Sequence, residues 1–243
     1  MQVLSVLFVA GVLALPWPAT AQVIGDSRAP PSVGAGPPRS TSRPVQAEPA
    51  HPTFGGQAAS PDVHRLADWV AATGDNRELP FIIVDKQDAK VFLFEARGRI
   101  LGVAPALLGV ARGDDTVTGI GQRRLATMAP GERTTPAGRF EAALGNDLDQ
   151  DVLWIDYDAA LSLHRVIVGN PSDRRHERLV SATPLDNRIS YGCINVPARF
   201  YDDMVVPAFR GTVGIVYILP ETRALEAVFA IGGEPAQPPR TGR

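Results

Sequence analysis

Apolar positions in this chain gather into short runs separated by polar turns. Leu66, Trp69 and Val70 share one face at helical spacing, behind Ser60-Pro61 and ahead of Gly74. Serine accepts from the free N–H groups of a helix start, proline fits the first turn and glycine suits the stop. A helix is therefore expected to open at Ser60-Pro61 and close at Gly74. The period then changes. Residues 81–85 and 91–94 are rich in β-branched and aromatic side chains, with a polar turn at 86–89, and Gly98 precedes a third run at 100–110. Such runs joined by short turns predict a β-meander. Further strands are expected at 138–143, 152–156, 161–167 and 214–219. A short helix is expected over 195–204, with Pro197 in its first turn, and another over 222–230. The pattern is mainly β with short helices at the edges.

The ends of the chain read differently. The apolar run Leu4 to Leu15, then Pro16-Trp17-Pro18 and Ala19-Thr20-Ala21, has the form of a secretory signal peptide over residues 1–21. No Lys or Arg precedes the apolar run, and it is too short for a stable membrane anchor. Residues 22–60 are rich in Pro, Gly, Ser and Ala, too poor in large apolar groups to offset ordering entropy. They are expected to be a disordered linker. One domain is expected over 61–231, and residues 232–243 are read as a disordered tail. Of the 243 residues, 24 are basic and 26 acidic, a net charge of −2. The basic residues are scattered, so no nucleic-acid partner is expected. No His/Cys/Asp cluster has ligand spacing, so neither a metal nor another cofactor is expected.

One cysteine remains to be explained, because exported proteins usually pair theirs. Cys193 stands in Asn187-Arg188-Ile189-Ser190-Tyr191-Gly192-Cys193-Ile194-Asn195. Gly192 permits a tight turn. If a helix starts just after Cys193, its partial positive charge favours thiolate. Backbone N–H groups of Tyr191 and Gly192 are then placed to receive a developing oxyanion.

Ser190-Tyr191-Gly192-Cys193-Ile194-Asn195 resembles the signature of the L,D-transpeptidases, the YkuD-type domain, with Tyr191 where the family usually has His. Arg133-Thr134-Thr135-Pro136-Ala137-Gly138-Arg139-Phe140 is similar to that family's Thr-Pro-x-Gly-x-Phe strand entry. The resemblance covers about residues 81–221. It implies an L,D-transpeptidase-like β-sandwich with short peripheral helices, and Cys193 as nucleophile with an upstream His as base. His164 alternates with Leu161 and Leu163 on a strand that holds an imidazole rigidly. His176 is nearer the usual spacing but lies in a charged run that reads as a solvated loop. His164 is the preferred base. Arg188, Ser190 and Asn195 are expected to bind substrate or shape the site. Arg188 is equally suited to a substrate carboxylate or to Asp186 or a backbone carbonyl, and Asn195 to capping the helix.

What the resemblance implies is a periplasmic or secreted, peptidoglycan-associated enzyme. Its partners would be stem peptides, with no membrane insertion after signal removal. Transfer from a stem tetrapeptide to an amine is the leading reading. Hydrolysis of the same acyl-enzyme, as a carboxypeptidase or amidase, and a catalytically inactive wall-binding module are the rivals.

Overall fold

The computed structural model describes residues 51–147 and 150–231. The signal peptide, most of the linker and the tail lie outside the described residues. In chain order the elements are α1 (Pro61–Thr73), β1 (Phe81–Asp85), β2 (Lys90–Phe94), β3 (Ile100–Pro105), β4 (Leu108–Gly109), β5 (Gly138–Asp147), β6 (Gln150–Asp156) and β7 (Leu161–Arg165). Then come α2 (Arg175–Leu179), β8 (Arg188–Ser190), β9 (Ile194–Val196), α3 (Ala198–Phe200), which continues through a π-helical turn (Tyr201–Val205) into α4 (Val206–Phe209), and β10 (Val213–Ile218).

An eight-stranded sheet has the order β3-β2-β1-β10-β5-β6-β7-β9, and β4 pairs separately with β8. Alternation along the central strands feeds two cores. Ile82 and Val84, with Val91, Leu93, Val216 and Ile218, face one core. Phe81 and Ile83, with Phe92, Phe94, Ile215 and Tyr217, face the other, which α1 covers with Val63, Leu66, Ala67 and Val70. Burial on both faces explains why Phe81, Ile82, Ile83 and Val84 of β1 form an apolar run. The chain is thus mainly β with short peripheral helices. The two expected layers belong to one sheet that bends around its core: Leu107, just beyond β3, exchanges hydrogen bonds of 2.8 and 2.9 Å with Asn195 of β9.

Several sequence expectations need correction. The run at 100–110 divides at Pro105, which has no N–H to continue a ladder, and its second part pairs with β8. The helix expected at 195–204 starts only at Ala198, because Ile194–Val196 forms a strand beside β7. The helix expected at 222–230 is a single 3₁₀ turn, Leu225–Ala227, since Leu225 and Phe229 are drawn into the core under α1. The charged run read as a loop contains α2. The linker boundary at Ser60 is too late. Thr53 N–H donates to Gly98 O at 3.1 Å and Ile100 N–H to Thr53 O at 2.9 Å. Phe54 packs edge-on against Phe92 and Phe94.

Helix α1 has the predicted ends: Ser60 Oγ accepts from Val63 N–H at 3.3 Å, and Gly74 closes it at φ 67°. Among the described residues no helix is long and apolar enough to cross a membrane.

Candidate active site

Strands β7 and β9 run parallel, with Leu163 beside Ile194 and His164 beside Asn195. Leu161, Leu163, Ile194 and Val196 enter the core. Period-two alternation sends Ser162, His164 and Asn195 to the opposite face, and Cys193, at the entry to β9, joins them. Ser162 Oγ lies 3.5 Å from the Cys193 sulfur, which itself approaches Ala160 O at 3.4 Å. His164 Nδ1 lies 2.7 Å from Arg165 O. A ring nitrogen that close to a carbonyl carries the proton, so Nε2 is the nitrogen free to exchange one. Nε2 is 3.3 Å from Asn195 Nδ2. The amide cannot turn over, because Arg175 Nη1 donates to Asn195 Oδ1 at 3.0 Å.

Cys193 is half-buried and unpaired. Burial pushes its thiol up, but the neighbouring His164 imidazole, aided by Ser162, outweighs burial and leaves it below its ordinary value. Burial likewise pushes His164 down, and Cys193 more than reverses this, leaving the imidazole raised. Both shifts favour a thiolate–imidazolium pair, against which the Asn195 N–H held toward Nε2 favours the neutral ring. The expected helix dipole is not its source, because the residues after Cys193 are strand.

The turn before Cys193 is fixed from three sides. Gly192 has φ 133°, and a Cβ on it would meet Thr134 O at 2.8 Å, so only glycine fits. Ser190 Oγ accepts from Gly192 N–H at 3.1 Å and donates to Cys193 O at 2.6 Å. Thr135 Oγ1 donates to Gly192 O at 2.7 Å. Gly192 N–H is therefore engaged and unavailable to an oxyanion, contrary to expectation. The N–H groups of Tyr191 and Cys193 have no partner among the described residues.

Ser190 thus shapes the loop, and Asn195 orients His164 from within β9, where no helix needs its cap. The Arg188 guanidinium is not free for a substrate carboxylate. It makes a two-pronged bond to buried Glu221, at 2.6 and 3.1 Å, and donates to Lys86 O at 2.8 Å. The exposed Tyr191 ring lies 4.1 Å from the Arg133 guanidinium carbon. His176 is exposed on α2 and apart from the sulfur's partners. Sequence reasoning passed over Ser162, Thr135 and Arg175. Alternation around His164 would have found Ser162; Thr135 is the Thr of the Thr-Pro-x-Gly-x-Phe segment, which marks it without showing its role, and nothing local marks Arg175. Among the described residues no group of three or more His, Cys, Asp or Glu side chains is placed to hold a metal.

No protein-family model matches the chain, and no curated protein sequence does. Solved structures resemble it in part. The helical cell shape determining protein Pgp2 from Campylobacter jejuni is 15% identical over 66% of this chain and 57% of its own, with a TM-score of 0.39. The catalytic domain of the E. faecium L,D-transpeptidase is 16% identical over 58% of this chain and 98% of its own, at 0.34. An L,D-transpeptidase from Xylanimonas cellulosilytica is 14% identical over 58% of this chain and 60% of its own, at 0.33. The chain therefore spans little more than half of the Campylobacter protein's length, and these likenesses are likenesses of fold.

Proposed function

We propose that this chain is a cysteine acyltransferase acting on peptidoglycan stem peptides outside the cytoplasmic membrane, an L,D-transpeptidase in its chemistry. The observation that carries the reading is one constellation on one sheet face. Cys193 sits on a glycine turn inside a Ser-x-Gly-Cys-x-Asn motif, on the sheet face that also carries Ser162 and His164.

The chemistry follows from the parts. The Cys193 thiolate attacks a peptide carbonyl carbon, the C–S bond forms and the carbonyl π pair moves to oxygen. The N–H groups of Cys193 and Tyr191 receive that oxyanion. As the intermediate collapses, the C–N bond breaks, and protonated His164 Nε2 gives its proton to the departing amine. The thioester is then attacked by an acceptor amine. That amine's proton passes to His164, a new C–N bond forms and the C–S bond breaks, regenerating the thiolate. The leader-like residues 1–21 support an extracytoplasmic site of action.

The test is intact-mass measurement after incubation with a carbapenem and with stem tetrapeptides. The wild type should gain one acyl adduct, located at Cys193. Cys193→Ser should stay folded and gain none, because a hydroxyl is far less acidic than a thiol of reference pKa about 8.5. An adduct in the serine variant, or none in the wild type, removes the reading and leaves the wall-binding module in its place.

A further inference from the structure

We infer that Thr135 is a positioning residue of this site: its buried hydroxyl fixes the Gly192–Cys193 peptide plane and so aims the Cys193 N–H at the oxyanion. The inference rests on the acyl-transfer reading above.

Thr135 has no solvent exposure. Its Oγ1 accepts from Gly109 N–H at 2.9 Å, and Gly192 O lies 2.7 Å away. A hydroxyl has one hydrogen, and Gly192 O can only accept, so Thr135 donates there. In a planar trans peptide, a C=O and the N–H that follows point in opposite directions. Drawing Gly192 O toward Thr135 therefore turns Cys193 N–H away from it, on the side where that N–H meets no partner among the described residues. The neighbouring planes are held by other means. Ser190 Oγ takes Gly192 N–H and Cys193 O, and Val110 N–H donates to Ser190 O at 3.0 Å. Only the plane carrying the Cys193 N–H depends on Thr135.

Thr135 is itself anchored. Its backbone O accepts from Lys86 Nζ at 2.9 Å, and that fully buried ammonium also donates to Asp114 Oδ1 at 2.8 Å and Gly113 O at 2.6 Å. Asp114 in turn accepts from the N–H groups of Glu221, Thr222 and Arg223. The hydroxyl that sets the peptide plane is thus tied to a buried, hydrogen-bonded cluster, which gives it little freedom to drift.

Two reactions of the purified full chain separate this role from a merely structural one. Alkylation by iodoacetamide displaces iodide from a saturated carbon and builds no oxyanion. Acylation by a carbapenem passes through one. Thr135→Val keeps the side-chain shape and removes the donor, and Thr135→Ser keeps the donor. In the valine variant, acylation should slow by about 100-fold, the loss typical of one oxyanion donor, while alkylation keeps its wild-type rate and pH profile. The serine variant should restore acylation. Parallel loss of both reactions, or acylation at the wild-type rate, overturns the inference. If the valine variant fails to fold by near-UV circular dichroism, Thr135→Ala enters the same two assays without added bulk. Loss of folding in both assigns the hydroxyl to stability and overturns the inference. A wild type that alkylates but never acylates removes the acyl-transfer reading first and the inference with it. An unimpaired valine variant beside an acylating wild type removes the inference alone.

Discussion

Two opposing effects act on the Cys193 sulfur. Burial disfavours the thiolate, while the His164 imidazole favours it and wins. If the imidazole is the reason, removing it exposes the burial penalty. The rate of iodoacetamide alkylation against pH should rise in the wild type with a midpoint below the ordinary thiol value of about 8.5. In His164→Ala the midpoint should move upward, because burial is then opposed only by Ser162. His176→Ala should reproduce the wild-type curve, since His176 is exposed on α2 and apart from the sulfur's partners. A His164→Ala curve that overlays the wild type would remove the imidazole from the mechanism. Arg175 acts one step further out: by fixing the Asn195 amide it decides which group faces Nε2.

Elements bring these residues together, and the alternation of β7 made half of that legible. Leu161 and Leu163 against Ser162 and His164 announce a strand with a polar face. What stayed hidden was its partner. Residues 194–196 are too short a run to stand out from the helix that follows, and a parallel pairing between segments this far apart leaves no local mark. The helix start placed at Asn195 was wrong for that reason, and the dipole argument went with it. The glycine turn, in contrast, was visible as a glycine before a cysteine, though its cause is tertiary. At Gly74 and Gly192 the same substitution should give different results. Gly74→Ala meets only the φ 67° penalty, with nothing within 4 Å, and should cost about 1–2 kcal/mol. Gly192→Ala adds a 2.8 Å clash with the Thr134 carbonyl at φ 133°. That carbonyl adjoins Thr135, whose anchors resist movement, so the backbone strain should reach about 3 kcal/mol or more. Urea denaturation measures both, and acylation should vanish only in Gly192→Ala. Equal costs would mean that the turn relaxes freely.

Across the whole molecule, one buried charge cluster joins segments that the sequence keeps apart. Lys86 follows β1, Asp114 lies in the loop beyond β4, Arg188 opens β8 and Glu221 follows β10. As a sequence these were scattered charges on an unremarkable surface; only the fold makes them partners. Burial pushes Lys86 down more than its carboxylates raise it. Burial pushes the Asp114 carboxyl up, but Lys86, the Thr222 hydroxyl and the N–H groups of Glu221 and Thr222 outweigh it and hold it well below the usual carboxylate range. A carboxyl whose folded pKa lies below its unfolded value of about 3.9 stabilises the fold fully above that pH. The contribution is lost as pH falls through the folded value. Asp114→Asn removes the carboxylate bonded to buried Lys86 and leaves only Glu221, 3.8 Å away, a loss of about 3–5 kcal/mol for a broken buried pair. At pH 7 urea should therefore unfold the variant far earlier than the wild type. Below about pH 4 the gap should narrow, because the Asp114 carboxyl then takes up a proton in the unfolded wild type but not in the folded one, which favours unfolding of the wild type alone. A gap that stays constant from pH 7 into acid would place the effect in side-chain shape and hydrogen-bond geometry and take it away from the Asp114 charge.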